Sequence, residues 1–313
     1  MKMLLAYDGS PCSDAAIDDL VRAGLPSETK CLVFSVTEVW LPPQDSVAEH
    51  SDPYLETIVR GIRQKGEQRI GQARALSEKA AMRISAAFPD WKVSAEATFG
   101  SPAWEIIAKA DEIAADLIVI GSHGKGAIER LVLGSVSQKV LTSADCSVRI
   151  ARGKIETDPA PIRLLVGFDG SKGADVAVSG IAERVWPTNT EVILLAATEP
   201  LKPSLIGALV PPIGETVDDI NEAEQRWLRQ RAAEAIEKLS KTGISARFEI
   251  EIGNPKSLLT RKAEVWDADC IFVGANAFGS RLERFLLGST SAAVAARARC
   301  SVEAARIRKD QTN

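Results

Sequence analysis

Short apolar runs alternate along this chain with longer segments in which apolar residues recur at helical spacing. The run over residues 117–120 is bounded by Asp116 and Gly121, which is typical of a buried parallel strand. The helical segments carry their apolar residues at Leu55, Ile58, Val59 and Ile62, at Ala73, Leu76, Ala80 and Ile84, and at Leu228, Ala232, Ala235, Ile236 and Leu239. Strands that alternate with such helices predict an α/β fold with a doubly wound parallel sheet. Proline-rich stretches over 40–53 and 200–214 are predicted to be loops before the long helices.

The second half of the chain repeats the first. Residues 4–10, 99–102, 116–121, 129–135 and 146–148 return in the same order as 164–171, 252–255, 269–274, 283–289 and 300–302. Matches in one order indicate an internal duplication. The stretch between the copies, 152–162, is rich in charge and proline and is typical of a linker. We therefore predict a first domain over 1–152, a linker over 153–161 and a second domain over 162–308.

The composition fits a soluble globular protein and argues against several partners. The chain has 313 residues, of which 26% are charged and 45% hydrophobic. A net charge of −4 argues against binding nucleic acid or an anionic membrane through bulk charge. No stretch approaches the ~20 apolar residues of a membrane span, and the N-terminal apolar run is too short for a signal peptide. We therefore expect a cytoplasmic protein with neither a nucleic-acid nor a membrane partner.

The cysteines and histidines predict neither a metal site nor a disulfide framework. The five cysteines are Cys12, Cys31, Cys146, Cys270 and Cys300, and they form no CxxC pair. We interpret them as small core residues in a reducing compartment, with Cys12 as the one worth testing. His50 and His123 are the two histidines. His123 lies in a glycine-rich loop without an evident carboxylate partner, so we interpret it as an exposed loop residue rather than a general base.

Asp8 is the first candidate for ligand binding, because it directly follows the first predicted strand. Ligands of open α/β sheets bind beyond the carboxyl ends of the strands. A carboxylate at that place can accept hydrogen bonds from ribose hydroxyls or from an adenine amine. The sequence Asp-Gly-Ser is also ordinary turn chemistry, so a turn or helix-capping role for Asp8 stays open.

A glycine-rich loop after the fourth predicted strand is the second candidate. Gly121 and Gly124 let a backbone approach a phosphate closely, and Lys125 adds a positive charge. After nine intervening residues, Gly134 and Ser135 open an apolar helix. The free N–H groups and the positive dipole end of such a helix attract an anion. The loop matches neither the Walker pattern nor the Rossmann fingerprint.

This spacing, Gly-x2-Gly-x9-Gly-Ser, resembles the ATP-binding signature of the universal stress protein family. The Asp-Gly-Ser turn, the Gly-x-Pro motif and the final Cys-Ser-Val strand fit the same family over nearly the whole chain, twice. The resemblance implies, in each half, a five-stranded parallel sheet flanked by helices, similar to the adenine-nucleotide alpha-hydrolase fold. It also implies ATP, with or without Mg²⁺, held between the first strand and the glycine loop. The predicted binding residues are Ala6, Asp8, Val36, Gly121, Gly124, Lys125, Gly134, Ser135 and Val136, and in the second half Asp169, Gly274, Gly279, Gly288 and Ser289.

The second half departs from this signature. Ala277 stands where the second glycine belongs, and the loop is one residue longer. Lys125 has no basic counterpart before Arg281. A methyl group and a shifted register beside a phosphate weaken binding, so we predict a weak or empty second site. Gly279 offers an alternative close approach that would restore it.

Three classes of function stay open for such a chain. It can be a nucleotide-dependent regulatory module in a stress response, a slow ATPase or phosphotransferase, or a scaffold with vestigial sites. Hydrolysis needs a positioned water, a metal held by carboxylates and a clamp on the γ-phosphate. The sequence shows no Walker-B-like acid and no arginine finger, so we predict the regulatory module and no catalytic residues.

The resemblance also implies that the two halves pair through their last strands as a pseudo-dimer, with a homodimer of the chain left open. Arg149 and Glu303 occupy equivalent positions in those strands. Opposite charges on neighbouring strands are mildly favourable and like charges are not, so the mixed pair would be preferred within one chain. The alternative is that both side chains are solvated and contribute almost nothing.

Overall fold

The computed structural model describes residues 1–39, 53–124, 133–152, 161–201, 211–275 and 288–307, and for 53, 55 and 211–216 the backbone alone. The chain divides into two compact units. The first unit is Met1–Asp18 with Pro26–Ala151, and the second is Asp19–Leu25 with Arg152–Asn313.

The first unit is a parallel sheet of five strands with helices between them. Its elements are β1 (Lys2–Ala6), α1 (Pro11–Asp19), β2 (Lys30–Thr37), α2 (Pro53–Ala87), β3 (Lys92–Phe99), α3 (Pro102–Glu112), β4 (Leu117–Gly121), α4 (Ser135–Ser143) and β5 (Ser147–Ala151). The last residue of α1 and the 3-10 turn that follows it (Leu20–Arg22) belong to the second unit. The strands run in the order β3, β2, β1, β4, β5, and every pair is parallel.

The second unit repeats this arrangement. Its elements are β6 (Arg163–Gly167), α5 (Lys172–Ala182), β7 (Glu191–Thr198), α6 (Pro211–Ser240), β8 (Ser245–Ile252), α7 (Pro255–Val265), β9 (Cys270–Gly274), α8 (Ser289–Arg297) and β10 (Ser301–Ala305). The order β8, β7, β6, β9, β10 is again parallel throughout. The predicted α/β class and the five-stranded parallel sheet in each half are confirmed.

Central strands are buried on both faces, which is why they have no polar alternation. All five residues of β4 are buried, and Met3, Leu4 and Leu5 of β1 are 0% exposed. Helices on both faces of a parallel sheet exclude water from such strands. Apolar burial of this kind contributes roughly 25 cal/mol per Å² and supplies the main stabilisation of each unit.

Both long helices begin before the predicted loops end. Helix α6 begins at Pro211, so the prediction of a loop through residue 214 is wrong for 211–214. Proline lacks the N–H that the first helical turn leaves unpaired anyway, and its fixed φ suits that position. Helix α2 likewise begins at a proline, Pro53. The remainder of the predicted loop over 40–53 lies outside the described residues.

Arg149 and Glu303, the two residues whose opposite charges are predicted to favour pairing of the two halves, are buried. Arg149 in β5 is 0% exposed and Glu303 in β10 is 2% exposed, so the interpretation of both as solvated side chains is wrong. Glu303 accepts two hydrogen bonds from Arg184, one of them 2.9 Å from Nη1 to Oε2. The Arg184 guanidinium also lies 5.4 Å from the ring centre of Phe272. The pairing of the two halves through their last strands stays a prediction.

Candidate functional site

The turn after β1 fixes the position of Asp8. Gly9 has a φ of 74°, which a residue with a side chain rarely adopts. The N–H of Ser10 donates to Asp8 Oδ1 at 2.9 Å, so the carboxylate closes the turn. The turn role that the sequence left open for Asp8 is therefore present.

Asp8 also lies against the glycine-rich loop. A Cβ placed on Gly124 would be 3.0 Å from Asp8 Oδ2. The carboxylate and the loop are thus so close that a side chain at 124 would have to displace one of them. The structure brings together the two features that the sequence singled out separately, at the carboxyl ends of β1 and β4.

Gly121 lets the end of β4 pass the first turn of α1. A Cβ at this position would be 2.6 Å from the carbonyl oxygen of Cys12, which is closer than real Cβ contacts come. The carbonyl oxygen of Gly121 accepts a 2.7 Å hydrogen bond from Ser137 Oγ in the first turn of α4. Gly121 therefore ties β4, α1 and α4 together beneath the site.

Gly134 brings the chain back to the glycine loop. Its N–H donates to the carbonyl oxygen of Ser122 at 2.9 Å, and a Cβ would lie 3.3 Å from that same oxygen. The N-cap residue of α4 is Gly134, which has no side chain to cap the helix, and α4 begins with exposed Ser135 and half-buried Val136. The first N–H groups of a helix have no partner within the helix, so this end attracts an anion.

Ala6 and Val36 lie near the carboxyl ends of the neighbouring strands β1 and β2. Ala6 is the last residue of β1 and pairs with Phe34, whereas β2 continues to Thr37. Val36 is half-buried and lies two residues beyond that last pair. The backbone of β2 is therefore uncovered by β1 at Val36, next to the Asp8 turn. Lys125, the predicted point charge, lies outside the described residues.

Tyr7 anchors the same turn from its other side. Its carbonyl oxygen accepts a 2.7 Å hydrogen bond from Ser35 Oγ, and its hydroxyl donates to Asp14 Oδ1 at 2.9 Å. Burial, and then the hydrogen bond to Asp14, raise the pKa of Tyr7 to about 12. The neutral phenol is therefore the form that this turn stabilises.

The prediction that His123 is an exposed loop residue is wrong. It is 9% exposed, and its Nδ1 lies 3.1 Å from Ser122 Oγ. The chain returns beside it at Gly134, where a Cβ would lie 3.3 Å from the Cα of His123. His123 therefore belongs to the floor of the loop.

The second unit keeps the backbone scaffold of this site. The N–H of Gly288 donates to the carbonyl oxygen of Ala275 at 2.9 Å, and Ser291 Oγ donates to the carbonyl oxygen of Gly274 at 2.7 Å. A Cβ on Gly274 would be 2.5 Å from the backbone of Gly173, in the first turn of α5. These contacts are the counterparts of those at Gly134, Ser137 and Gly121. Ser289 is exposed and begins α8, which no side chain caps.

The Asp turn of the second unit has different surroundings. Asp169 is exposed and accepts a 3.0 Å hydrogen bond from the N–H of Ser171. Gly170 has a φ of 70°, and a Cβ there would be 2.4 Å from the indole ring of Trp227 in α6. An aromatic side chain thus packs on this turn. Gly279 and Ala277, on which the sequence argument about the second loop depends, lie outside the described residues.

Sequence reasoning missed the serines that bind the ends of β4 and β9. Ser137 and Ser291 each follow a Gly-Ser pair by two residues, so Gly-Ser-x-Ser occurs at the same place in both halves. Its repetition was the available signal. Cys12 and Gly173 were missed as packing partners because the close approach joins residues more than 100 apart along the chain.

Among the described residues, no group of three or more histidine, cysteine, aspartate or glutamate side chains could hold a metal ion. Across the same parts of the chain, no helix combines the length and the apolar character that crossing a membrane would require. The five cysteines, all among the described residues, form no disulfide, and Cys31, Cys146 and Cys270 are buried, as predicted for core residues.

A family model described as the universal stress protein family matches residues 1–152 and 162–306. A universal stress protein of Mycobacterium tuberculosis is 28% identical over 310 residues, covering 97% of this chain and 96% of the relative. A universal stress protein of Bacillus subtilis is 31% identical over 159 residues, or 48% of this chain and 98% of the relative.

A solved structure of similar length shares the fold over nearly the whole chain. The crystal structure of a universal stress protein from Archaeoglobus fulgidus covers 99% of this chain and 97% of its own, with a TM-score of 0.58 and 23% identity. A universal stress protein family protein from Arabidopsis thaliana, solved with AMP bound, covers 49% of this chain and 96% of its own, with a TM-score of 0.37 and 18% identity.

Proposed function

The chain belongs to the universal stress protein family, and from that premise we propose that its first half binds ATP and that nucleotide occupancy regulates a partner surface in a stress response. The observation that carries the proposal is the contact between Asp8 and Gly124 beside the uncapped start of α4. Asp8 would accept hydrogen bonds from the ribose or the adenine. The backbone of Val36 would meet the base.

The phosphates would lie at Gly124, Gly134, Ser135 and Val136. Three features support this placement: glycines at 124 and 134 where a Cβ would crowd Asp8 or the carbonyl oxygen of Ser122, a glycine N-cap that leaves the first N–H groups of α4 without its side-chain cap, and a positive helix dipole. Lys125 would add a cation from the loop. Mg²⁺, where present, would be held by the phosphate oxygens and water rather than by a carboxylate cluster.

We propose that the second half binds nucleotide weakly or not at all. Asp169 has lost the partly buried setting of Asp8, and Trp227 occupies the space above the Gly170 turn. Ala277 and the longer loop add to this in sequence. The scaffold at Gly274 and Gly288 would then serve folding rather than ligand binding.

Regulation is favoured over catalysis because no acid or arginine at the described site is arranged to activate a water or clamp a γ-phosphate. We expect turnover below about 1 s⁻¹, the low end of ordinary enzyme rates. The proposal includes a cytoplasmic location and a pseudo-dimer of the two halves through their last strands.

Titration calorimetry with ATP and native mass spectrometry of the gently purified protein test the proposal together. We expect one tightly bound adenine nucleotide per chain. Two equal sites would overturn the asymmetry, and no binding at all would overturn the function. Hydrolysis faster than the rate given above would place the protein among enzymes.

A further inference from the structure

A cavity lies at the amino ends of β2 and β3, at the edge of the first unit's sheet opposite the proposed nucleotide site. Its volume is about 450 Å³, within the range of ~300–1,000 Å³ that is usual for small-molecule sites. Both strands have eight residues, so the cavity lies roughly 23 Å from their carboxyl ends. The residues that line it are Ser27, Glu28, Lys30, Asp90 and Lys92. A ligand in this cavity would therefore be separate from the nucleotide.

The charges around the cavity come from one sequence pattern that occurs twice. The chain enters β2 with Glu-Thr-Lys over 28–30 and enters β3 with Asp-Trp-Lys over 90–92. Lys30 and Lys92 are register partners in the parallel pair of β2 and β3, so their side chains leave the same face of the sheet. The N–H of Lys92 donates to the carbonyl oxygen of Thr29 at 3.0 Å, which extends the pairing to the acidic ends. Two carboxylates and two ammonium groups thus line one cavity.

These charges do not pair with one another. Across the described parts of the chain, none of the five lining side chains forms an ion pair or a hydrogen bond. Further along β3, by contrast, Glu96 pairs with Lys109 at 3.0 Å. Like charges on neighbouring strands are unfavourable, so a bound group of opposite sign would stabilise each pair. The cavity therefore offers one place for an anionic group and one for a cationic group.

The walls of the cavity are held in place without a ligand. Thr29 Oγ1 donates to the carbonyl oxygen of Pro26 at 2.6 Å and closes the turn before β2. The N–H of Trp91 donates to the carbonyl oxygen of Phe88 at 3.1 Å and closes the turn before β3. The rings of Phe88 and Trp91 stack with their centres 4.0 Å apart, and Trp91 is 8% exposed. A preformed site lowers the entropy that binding costs.

The second unit shows that folding does not require this charge pattern. The chain enters the counterpart strands β7 and β8 with Asn-Thr-Glu over 189–191 and Gly-Ile-Ser over 243–245. Glu191 is the one charged residue of these two segments, and it pairs with Arg247 at 3.7 Å. The same strands therefore form without two acids and two lysines at their starts. The charges of the first unit are left for a role other than folding.

We propose that the cavity binds a free α-amino acid through its carboxylate and its ammonium group. The carboxylate would lie between Lys30 and Lys92, and the ammonium group between Glu28 and Asp90, in charge-assisted hydrogen bonds. A simple anion would meet the two carboxylates, and a simple cation would meet the two ammonium groups. The lining therefore selects a ligand that carries both charges close together, as an α-amino acid does on a single carbon.

Saturation-transfer NMR on the full-length chain tests the proposal with a mixture of the proteinogenic amino acids as the probe. We expect at least one of them to bind. Its N-acetyl derivative lacks the ammonium group and its amide lacks the carboxylate, so each should bind about tenfold more weakly or worse. Inorganic phosphate, a simple anion, should not displace the amino acid. Binding of no amino acid, a derivative that binds as tightly as the free amino acid, or displacement by phosphate would each overturn the proposal.

Two single-charge variants place the binding in this cavity. Lys92→Gln and Asp90→Asn each remove one member of a like-charged pair and leave the other, and contacts between exposed charges are weak, so each should weaken binding about fivefold. Lys65→Gln and Glu67→Gln are the matched controls, since these exposed residues lie on α2 and do not line the cavity. Thermal melts verify that all four variants fold. Controls that weaken binding as much as the cavity variants would contradict the assignment.

Discussion

The aspartate turns of the two units have the same backbone conformation but different surroundings. Asp8 closes its turn and meets the glycine loop, and Tyr7 beside it bonds to Asp14 and Ser35. In the second unit Phe168 replaces the tyrosine and packs edge-on against Phe248, with ring centres 6.0 Å apart. Asp169 is exposed. The polar network exists in the first unit, and an apolar contact takes its place in the second.

The shared backbone scaffold has a folding role in both units. Ser137 and Ser291 donate to the last glycine of β4 and β9 at the same distance, 2.7 Å. Buried carbonyl groups need such partners whether or not a ligand binds. A retained scaffold therefore does not indicate a working site. The partial burial of the turn aspartate, the second loop glycine in the sequence and the tyrosine network are the features that distinguish the first half from the second.

The largest effect that we expect lies in the second unit and concerns its buried ion pair. Arg184 and Glu303 have side chains that are 5% and 2% exposed. Arg184→Leu leaves the Glu303 carboxylate buried without its guanidinium and should lower the free energy of unfolding by about 3 kcal/mol. Urea denaturation measures it. Adding Glu303→Leu should recover part of the loss, and a double variant no more stable than the single one would contradict this account.

A carboxylate placed at the start of α4 or of α8 tests which of the two sites binds ATP. Gly134→Asp should weaken ATP binding about 100-fold, because its charge and its Cβ enter the proposed phosphate position. Gly288→Asp is the matched control in the second unit and should leave the tight site unchanged. Calorimetry on both variants, with thermal melts to verify folding, measures the difference. Equal losses in the two variants would show that the halves contribute equally.

Substitution of Ser137 and of Ser291 distinguishes a role in folding from a role in nucleotide binding. Ser137→Ala and Ser291→Ala each remove one hydrogen bond to a glycine carbonyl and should each cost about 1 kcal/mol of stability. ATP affinity should fall in Ser137→Ala alone, since that serine lies in the first turn of α4. A Ser291→Ala variant that loses ATP affinity would place a working nucleotide site in the second unit.

The architecture could be predicted from the sequence because it rests on strong local patterns. The run at 117–120 and the helical spacing around Ala80 each indicate one element, and the internal repeat supplies the order twice. The meeting of Asp8 with Gly124 could be expected too, because parallel strands end at the same edge of a sheet.

Burial and long-range partners could not be predicted in this way. The sequence around His123 is typical of an exposed polar loop, yet the side chain is buried where the chain returns at Gly134. The pair of Arg184 and Glu303 joins residues that are 119 apart along the chain, so no local pattern connects them. The sequence left open that Glu303 is solvated rather than part of a charge pair. In the structure, tertiary packing buries Glu303 and places Arg184 beside it as its partner.

Tyr7 offers the smallest effect and the most direct test of the polar network. Its pKa is raised to about 12, so the folded state favours the neutral phenol. That preference stabilises the protein fully below the ordinary tyrosine pKa of about 10 and is lost as the pH rises from there through 12. Tyr7→Phe, which copies Phe168, should cost about 1 kcal/mol at pH near 8, and the gap to the parent should narrow as the pH approaches 11. Urea denaturation at both pH values measures this gap. Tyr54, the other tyrosine of the chain, is 72% exposed, so Tyr54→Phe is the matched control for loss of a phenol hydroxyl and should leave the free energy of unfolding almost unchanged. A Tyr7→Phe gap of the same size at both pH values would mean that the phenol is not held neutral by burial and Asp14.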